Sequence, residues 1–527
     1  MRLRGAKVIK ESTRGEVVNS FADYTSAHGF AGIKRARWHV CKFIWIVVLV
    51  VAWSVMSYQI FKAISKYFEY STTVSVRLAH KSNINFPAVT ICNLNPMRFS
   101  QLQELQTMVP AWQSLQTLSA KKDWTNRAWK PSALTAEEQK KSFFFYSVYE
   151  HDVNISEVGH QIEDMMVECT FQGYQCFPAN FSMWTHASYG NCYTLFVPNN
   201  TYPSYVGPSF GLALTLHTQD DTEYIAGLTD AAGFRVVVHP PETVPFPEDD
   251  GITISPGFLT SVAIKQRYIE RKPLPYDGED CGERDLDDSY YQMWERFEVE
   301  GKIATNNYSK SACAKHCYQM TLLNVCGCHD PFTITRQVAR NLRDIVRRRN
   351  KTVISSEVPG CDLTNSSVLL CKTQTTIKMN KEDLCEAPVC PQPCFRFAIV
   401  PRITSSLWPV ESYFSSQQTS LESRLGPNVS YSLAELQKHM AKLEVFFEDL
   451  NFESIVETPA MDIWDLLAAV GGTMGLYGGL SFFTILEFVE LAIYLMRPRR
   501  KEGKRSRFHS RGSVGTGVSL VTPYGYY

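Results

Sequence analysis

GGTMGLYGGLSFFTILEFVE, Gly471 to Glu490, places five glycines within nine residues and follows them, after a largely apolar stretch, with two glutamates. Each glycine inside a helix costs about 1 kcal/mol relative to alanine, so the cluster gives up roughly 4–5 kcal/mol of helix propensity. Three compensations are open: tight helix packing, a break in the helix, or a passage for ions. Gly471, Gly475 and Gly479 stand at i, i+4 and i+8, which makes one smooth ridge of the GxxxG kind. Glu487 and Glu490, at i and i+3, share a helix face. A carboxylate deep in lipid costs about 2.5–3.5 kcal/mol on insertion scales, so these acids are either functional or solvated at an interface near Arg497.

The surrounding chain supplies the membrane. Phe43–Phe61 carries no charge over 19 residues and Leu466–Leu486 none over 21, each long enough to cross about 30 Å of hydrocarbon. About forty polar residues precede the first, which reads as a signal-anchor. Residues 1–42 hold nine Lys/Arg against three Asp/Glu and residues 497–527 eight against one, whereas residues 43–496 hold 36 against 49. The positive-inside rule then places both termini of a multi-pass protein in the cytoplasm and the roughly 400 residues between the spans outside. The expected divisions are a cytoplasmic N-terminus (1–40), a first span (41–64), an extracellular domain (65–459), a second span (460–496) and a basic cytoplasmic tail (497–527). Seven N-x-S/T sequons, at Asn154, Asn180, Asn199, Asn307, Asn350, Asn365 and Asn428, lie between the spans as expected glycosylation sites.

Fourteen of the fifteen cysteines lie there too, and Cys41 sits at the mouth of the first span. An even set outside the cell reads as seven disulfides in a loop-rich domain. Cys313-x3-Cys317 with Cys326-x-Cys328 admits a zinc reading, which an oxidising compartment disfavours. Period-2 patterns predict strands over Phe234–His239, Thr260–Ile269, Cys394–Ile403 and Leu443–Glu457. Helical patterns predict helices over Gln337–Asn350 and Ser432–Leu443, the second opening with a Ser N-cap and Glu435 three residues on. No GxxxxGK[ST], HExxH or GxSxG is present, so nothing argues for an enzyme, and neither a cofactor, a metal nor a nucleic-acid partner is expected.

FPAVTICN (Phe86–Asn93) just after the first span, His28–Gly29 just before it, GGTMGLYGGLSFFTILE in the second and fourteen external cysteines together resemble the epithelial sodium channel/degenerin superfamily. That superfamily includes acid-sensing and FMRFamide-gated sodium channels, and the likeness runs from about Phe21 to Met496. It implies a membrane protein of two transmembrane helices under a disulfide-rich α+β extracellular domain of palm, knuckle, finger, thumb and β-ball. It implies assembly as a homotrimer, with homologous subunits as further partners, and a sodium-selective pore that amiloride blocks. The family's Gly-x-Ser selectivity filter falls on Gly479, Leu480 and Ser481, where the helix is broken; Glu487 and Glu490 match acids of the inner vestibule. His28 and Gly29 match a pre-span loop that re-enters the membrane, and Ala468 matches the small residue at which bulky side chains hold the pore open. Family-like nesting pairs Cys92 with Cys192, Cys169 with Cys176, Cys281 with Cys394, Cys313 with Cys390, Cys317 with Cys385, Cys326 with Cys371 and Cys328 with Cys361.

What opens such a pore is the finer question. SKYFEYSTTVSVRLAH after the first span has no histidine before His80, where acid-sensing relatives carry several. The thumb-like stretch from Cys328 to Cys361 carries Arg336, Arg340, Arg343, Arg347, Arg348 and Arg349 where an acid sensor displays acids. Gly-Leu-Ser stands where acid-sensing members have Gly-Ala-Ser. The reading therefore leans to an extracellular FMRFamide-like peptide agonist, with proton gating and constitutive or mechanical opening as alternatives. Tyr67, Tyr70 and Tyr276 are candidates for the aromatic contact that couples domain to spans, Tyr276 replacing a family tryptophan. An ATP-gated purinergic receptor shares the two-span plan but lacks FPAVTICN and the filter pattern; a non-channel ectoprotein is the other different-class reading.

Overall fold

The computed structural model describes residues 14–496 apart from 81–83, 117–135, 196, 198–204, 242, 277–280, 283–297, 300–301, 304–307, 335–338, 340–358, 386–388 and 426–430. The chain forms two compact units, residues 1–68 with 462–527 and residues 69–461.

The larger unit is built on two sheets. The strands of these two sheets are β1 (Thr72–His80), β2 (Ala88–Asn93), β3 (Met166–Phe171), β4 (Tyr174–Gln175), β5 (Phe181–His186), β6 (Gly190–Leu195), β7 (Leu212–His217), β8 (Phe234–His239), β9 (Ile252–Ile254), β10 (Phe258–Glu270), β11 (Phe395–Leu407) and β12 (Met440–Pro459), and Glu298–Val299 pairs with Lys302–Ile303 apart from them. One sheet runs β11-β10-β12-β7-β3-β4 with β1 added to β12, and the other runs β5-β6-β2-β8-β9. All six residues of β2 are buried, which is why FPAVTICN reads as a continuous apolar run: the strand lies between β6 and β8 with both faces covered. Phe86, Val89, Ile91, Leu214, Phe234, Val262, Ile264, Leu443 and Phe447 fill the space between the sheets. Phe86 stands edge-on to Phe447 at 5.7 Å and to Phe171 at 5.1 Å.

Of the four strands predicted from alternation, three fall within β8, β10 and β12, and Cys394–Ile403 falls within β11 save its first residue. Leu433–His439 is a helix with Ser432 as N-cap and the Ser432/Glu435 capping box in place, and the chain turns into β12 at Met440, earlier than the predicted end at Leu443. The helix expected over Gln337–Asn350 lies outside the described residues save Ala339, as do the six arginines from Arg336 to Arg349.

Disulfides replace core where the chain is loop-rich. Lys310–Cys326 and Ser366–Glu382 are paired helices, capped by Ser309 and Asn365. Cys326–Cys371 joins them, Cys328–Cys361 closes the loop between them, and Cys313–Cys390 and Cys317–Cys385 tie the first helix to the returning chain. Cys281–Cys394, Cys169–Cys176 and the cross-strand pair Cys92–Cys192 complete the seven. All four cysteines of the zinc alternative are therefore oxidised, and Cys41 alone is free. Asn154, Asn180 and Asn365 are exposed; Asn199, Asn307, Asn350 and Asn428 lie outside the described residues.

The smaller unit is helical: α1 (Arg14–Tyr24), α2 (Phe30–Arg35), α3 (His39–Phe68), α4 (Ile463–Gly478) and α5 (Phe482–Met496). At 1.5 Å per residue the 30 residues of α3 extend about 45 Å, and it is apolar enough to cross a membrane. α4 and α5 meet that test only as a pair, bent by 68° at a short break. The stretch expected as the second span, 460–496, thus holds two helices, with the break at the Gly479–Ser481 turn where resemblance put it.

Candidate functional site

The break is written in local chemistry. α4 opens on a reciprocal cap: the Asp465 N–H donates to Asp462 Oδ1 at 2.7 Å and the Asp462 N–H to Asp465 Oδ2 at 3.1 Å. It ends at Gly479, whose φ of +63° is a left-handed conformation that a side chain disfavours. The Gly479 N–H reaches the Gly475 carbonyl at 3.0 Å, and the Leu480 N–H reaches the Met474 carbonyl at 3.1 Å. α5 then starts at once. Ser481 Oγ accepts the Thr484 N–H at 3.3 Å while Thr484 Oγ1 accepts the Ser481 N–H at 2.9 Å. Gly479-Leu480-Ser481 is therefore a C-cap running straight into an N-cap, and that is what permits so sharp a bend.

The loop between α1 and α2 fills the inside of this bend. The His28 N–H donates to the Gly478 carbonyl at 2.8 Å, and a Cβ on Gly479 would overlap the His28 ring. Gly29, at φ +93°, turns the chain directly into α2. Two residues before His28, Ser26 Oγ meets the hydroxyl of Thr484, a fully buried residue. Glu487 Oε2 accepts from Thr25 Oγ1 at 3.0 Å, the Ser26 N–H at 3.1 Å and Ser26 Oγ at 3.4 Å. Phe488 closes the contact against Phe21, 5.0 Å between centroids, and Phe30, 6.3 Å. The structure thus joins the two motifs quoted farthest apart in sequence, and one loop holds both halves of the broken helix.

The other site residues divide. Ala468, Gly471 and Gly475 lie on one face of α4 and are exposed; a Cβ on Gly471 or Gly475 would meet nothing within 4 Å among the described residues, so of the glycine ridge only Gly479 is packed, against His28. Glu490 is exposed, whereas Glu487 is half-buried by its three donors. Tyr70 and Tyr276 stand edge to face at 5.8 Å, and Tyr67 packs edge-on against Phe68 at 5.3 Å. Thr25, Ser26 and Thr484 were not singled out by sequence reasoning. Their signal was a hydroxyl pair just before His28 and a threonine inside an apolar helix, and neither means anything until the loop and the helix are brought together.

Buried histidines mark the larger unit. His160, beneath the surface, donates from Nδ1 to Gln219 Oε1 at 2.8 Å and accepts Asn95 Nδ2 at Nε2, 3.0 Å; desolvation pushes its pKa down to about 4. His239 is bracketed by Thr90 Oγ1 at 2.9 Å and the Pro240 carbonyl at 3.0 Å, and burial again lowers it to about 4. His217 lies 3.2 Å from the Tyr431 hydroxyl, and burial lowers its pKa. Beside it His439 donates to Asp220 at 2.8 Å.

The larger unit is sheet-rich and carries seven disulfides, and the smaller has one long apolar helix and a glycine-broken apolar helix pair, the features of a disulfide-rich membrane protein. The family model for the amiloride-sensitive sodium channel matches residues 21–491, and the chain belongs to that family. The FMRFamide-activated amiloride-sensitive sodium channel of Cornu aspersum is 24% identical, the alignment covering 91% of this chain and 83% of that one. Acid-sensing ion channel 1C of Danio rerio is 27% identical, over 93% and 85%. The epithelial sodium channel subunit alpha of Xenopus laevis is 26% identical, over 92% and 82%.

Proposed function

We propose that the protein is a trimeric, sodium-selective, amiloride-sensitive channel of the plasma membrane that opens to an extracellular FMRFamide-like peptide. The observation that carries the pore reading is the break at Gly479–Ser481, with His28 packed against it. α3 is the first span and the α4–α5 pair the second, with both termini in the cytoplasm. Non-helical backbone at membrane depth is tolerated where it faces protein or water, and three copies of this turn around an axis give it water. The carbonyls around Gly479, Leu480 and Ser481 form the ring that selects Na⁺. Gly471 and Gly475, with nothing among the described residues packed on them, face neighbouring subunits or the pore, and Ala468 lies on the same face. Glu490 attracts cations to the inner mouth. Glu487, held by three donors, is the anchor of the N-terminal loop as well.

Peptide gating draws support from the FMRFamide-activated relative and from the arginine-rich stretch 336–349. Movement in the extracellular domain reaches the spans by β1 and β12, which pair antiparallel from Thr72↔Pro459 to His80↔Asn451 and lead into α3 and α4. Tyr70 and Tyr276 brace β1 near its start. Proton gating is kept as a second reading because His217, Tyr431, His439 and Asp220 form one extracellular titratable cluster. Voltage clamp of cells expressing this chain alone tests the proposal, with a panel of FMRFamide-type peptides, then a step to about pH 5, and amiloride and Na⁺ replacement as controls. Peptide-evoked, amiloride-blocked sodium current is expected. Current on the acid step alone would keep the pore and overturn the peptide.

A further inference from the structure

Three residues of α3 each meet a glycine of the structure around the break. A Cβ on Gly32 would come within 2.9 Å of the Trp45 indole, and one on Gly29 would overlap the Leu49 side chain. One on Gly478 would sit 3.4 Å from Met56 Sδ, and Met56 is the buried residue of α3. One turn further along, Gln59 Nε2 donates to the Tyr477 hydroxyl at 3.0 Å. At 100° per residue, positions 45, 49, 56 and 59 fall within an arc of about 80° on a helix. A single stripe of α3 therefore touches, in order, α2, the His-Gly turn, the last residue of α4 and the tyrosine beside it.

Gln59 is the one amide between Phe43 and Phe61. In hydrocarbon an amide does best with a partner on a neighbouring helix, and a phenol two residues before Gly479 is the partner it has. The turn Tyr477–Gly478 is thereby gripped from two sides. His28 holds the Gly478 carbonyl, and Gln59 holds the Tyr477 ring through its hydroxyl. Rotating the end of α4 by one residue would swing Tyr477 about 100° off this contact, so the bond reports and restrains the azimuth at which the next carbonyls point.

We infer that the Trp45–Leu49–Met56–Gln59 stripe of α3 sets the orientation of the Gly479 turn, and that Gln59 and Tyr477 are positioning residues for ion selectivity. This rests on the channel reading above. The test uses the full chain with Tyr477→Phe, Gln59→Leu and both together, read as reversal potentials in Na⁺ against K⁺ with surface labelling alongside. Each single change lowers the Na⁺/K⁺ permeability ratio about threefold, and the double change goes no further, as for one shared interhelical bond. Additive shifts, or a wild-type ratio in Tyr477→Phe at normal surface level, would overturn the assignment.

The contact is tested without current as well. Gln59→Cys with Tyr477→Cys, in a Cys41→Ser background, is treated in membranes with a short bifunctional thiol reagent and analysed by mass spectrometry. An intramolecular 59–477 link is expected, and its absence would overturn the geometry. A link in a chain that carries no sodium current would instead overturn the channel reading, and the role in selectivity with it.

Discussion

The backbone N–H of His28 donates to the carbonyl of Gly478 at 2.8 Å, across 450 residues of sequence. That bond sits one residue before the left-handed Gly479, whose missing side chain leaves room for the His28 ring. The N-terminal loop and the bend are therefore one structure, and a change in either is felt in both. Gly479→Ala is the sharpest probe. A left-handed alanine costs roughly 1–2 kcal/mol, and its Cβ must also displace His28. Sodium current is expected to fall by at least about tenfold, the equivalent of 1.4 kcal/mol, at unchanged surface labelling. Full current in that variant would contradict the packing of His28 against Gly479.

Ser481 caps α5 and stands in the proposed filter, so its replacement separates two roles. Ser481→Ala removes the oxygen that accepts the Thr484 N–H, a cap worth about 1 kcal/mol. Ser481→Leu adds bulk at the constriction. The bulky variant should abolish current or relax Na⁺ over K⁺ selectivity. The alanine variant should lower the amount of channel at the surface more than its selectivity. Reversal potentials and surface biotinylation decide between them, and an unaltered reversal potential in Ser481→Leu would remove Ser481 from the filter.

Glu487 poses a choice between anchor and cation attractor. A carboxylate oxygen taking three donors is held in one place by their combined geometry. If anchoring dominates, Glu487→Gln and Ser26→Ala reduce open probability alike, and the double variant is no worse than the poorer single. If attraction dominates, Glu487→Gln lowers single-channel conductance and Ser26→Ala leaves it unchanged. Single-channel recording of the three variants separates the outcomes, and the geometry favours the first.

Much of this was legible in the sequence because local chemistry and global fold agree there. The alternation in β8, β10, β11 and β12 and the Ser432/Glu435 cap each specify their own structure without help from distant residues, whereas the glycine run left packing, a break and an ion passage open, and the break came from resemblance. FPAVTICN gave no alternation, since both faces of β2 are buried, and was informative only as a motif. Cysteine spacing left the pairing open; the nested set came from resemblance. The Ser26–Thr484–Glu487 contact and the Gln59–Tyr477 bond were beyond reach. Each joins residues more than 400 positions apart, and no local pattern in either member announces the other.

Stability of the larger unit should depend on pH through its buried histidines. His160 and His239 both have folded-state pKa values of about 4, below the ordinary 6.5, because burial disfavours their charged forms. The unfolded chain therefore binds protons that the folded one refuses between those values, and stability falls as pH falls through that window. Each histidine removes about 1.4 kcal/mol per pH unit there, and nothing further once both states are protonated. His217, shifted in the same direction, adds to the slope. Thermal unfolding of the detergent-solubilised protein from pH 7.5 to 4.5 should show a midpoint flat down to about 6.5 and falling below it. His239→Gln, which keeps a polar group beside Thr90, should flatten the fall. A midpoint that rises on acidification, or an identical profile in the variant, would mean that these rings are solvated or already charged at neutral pH.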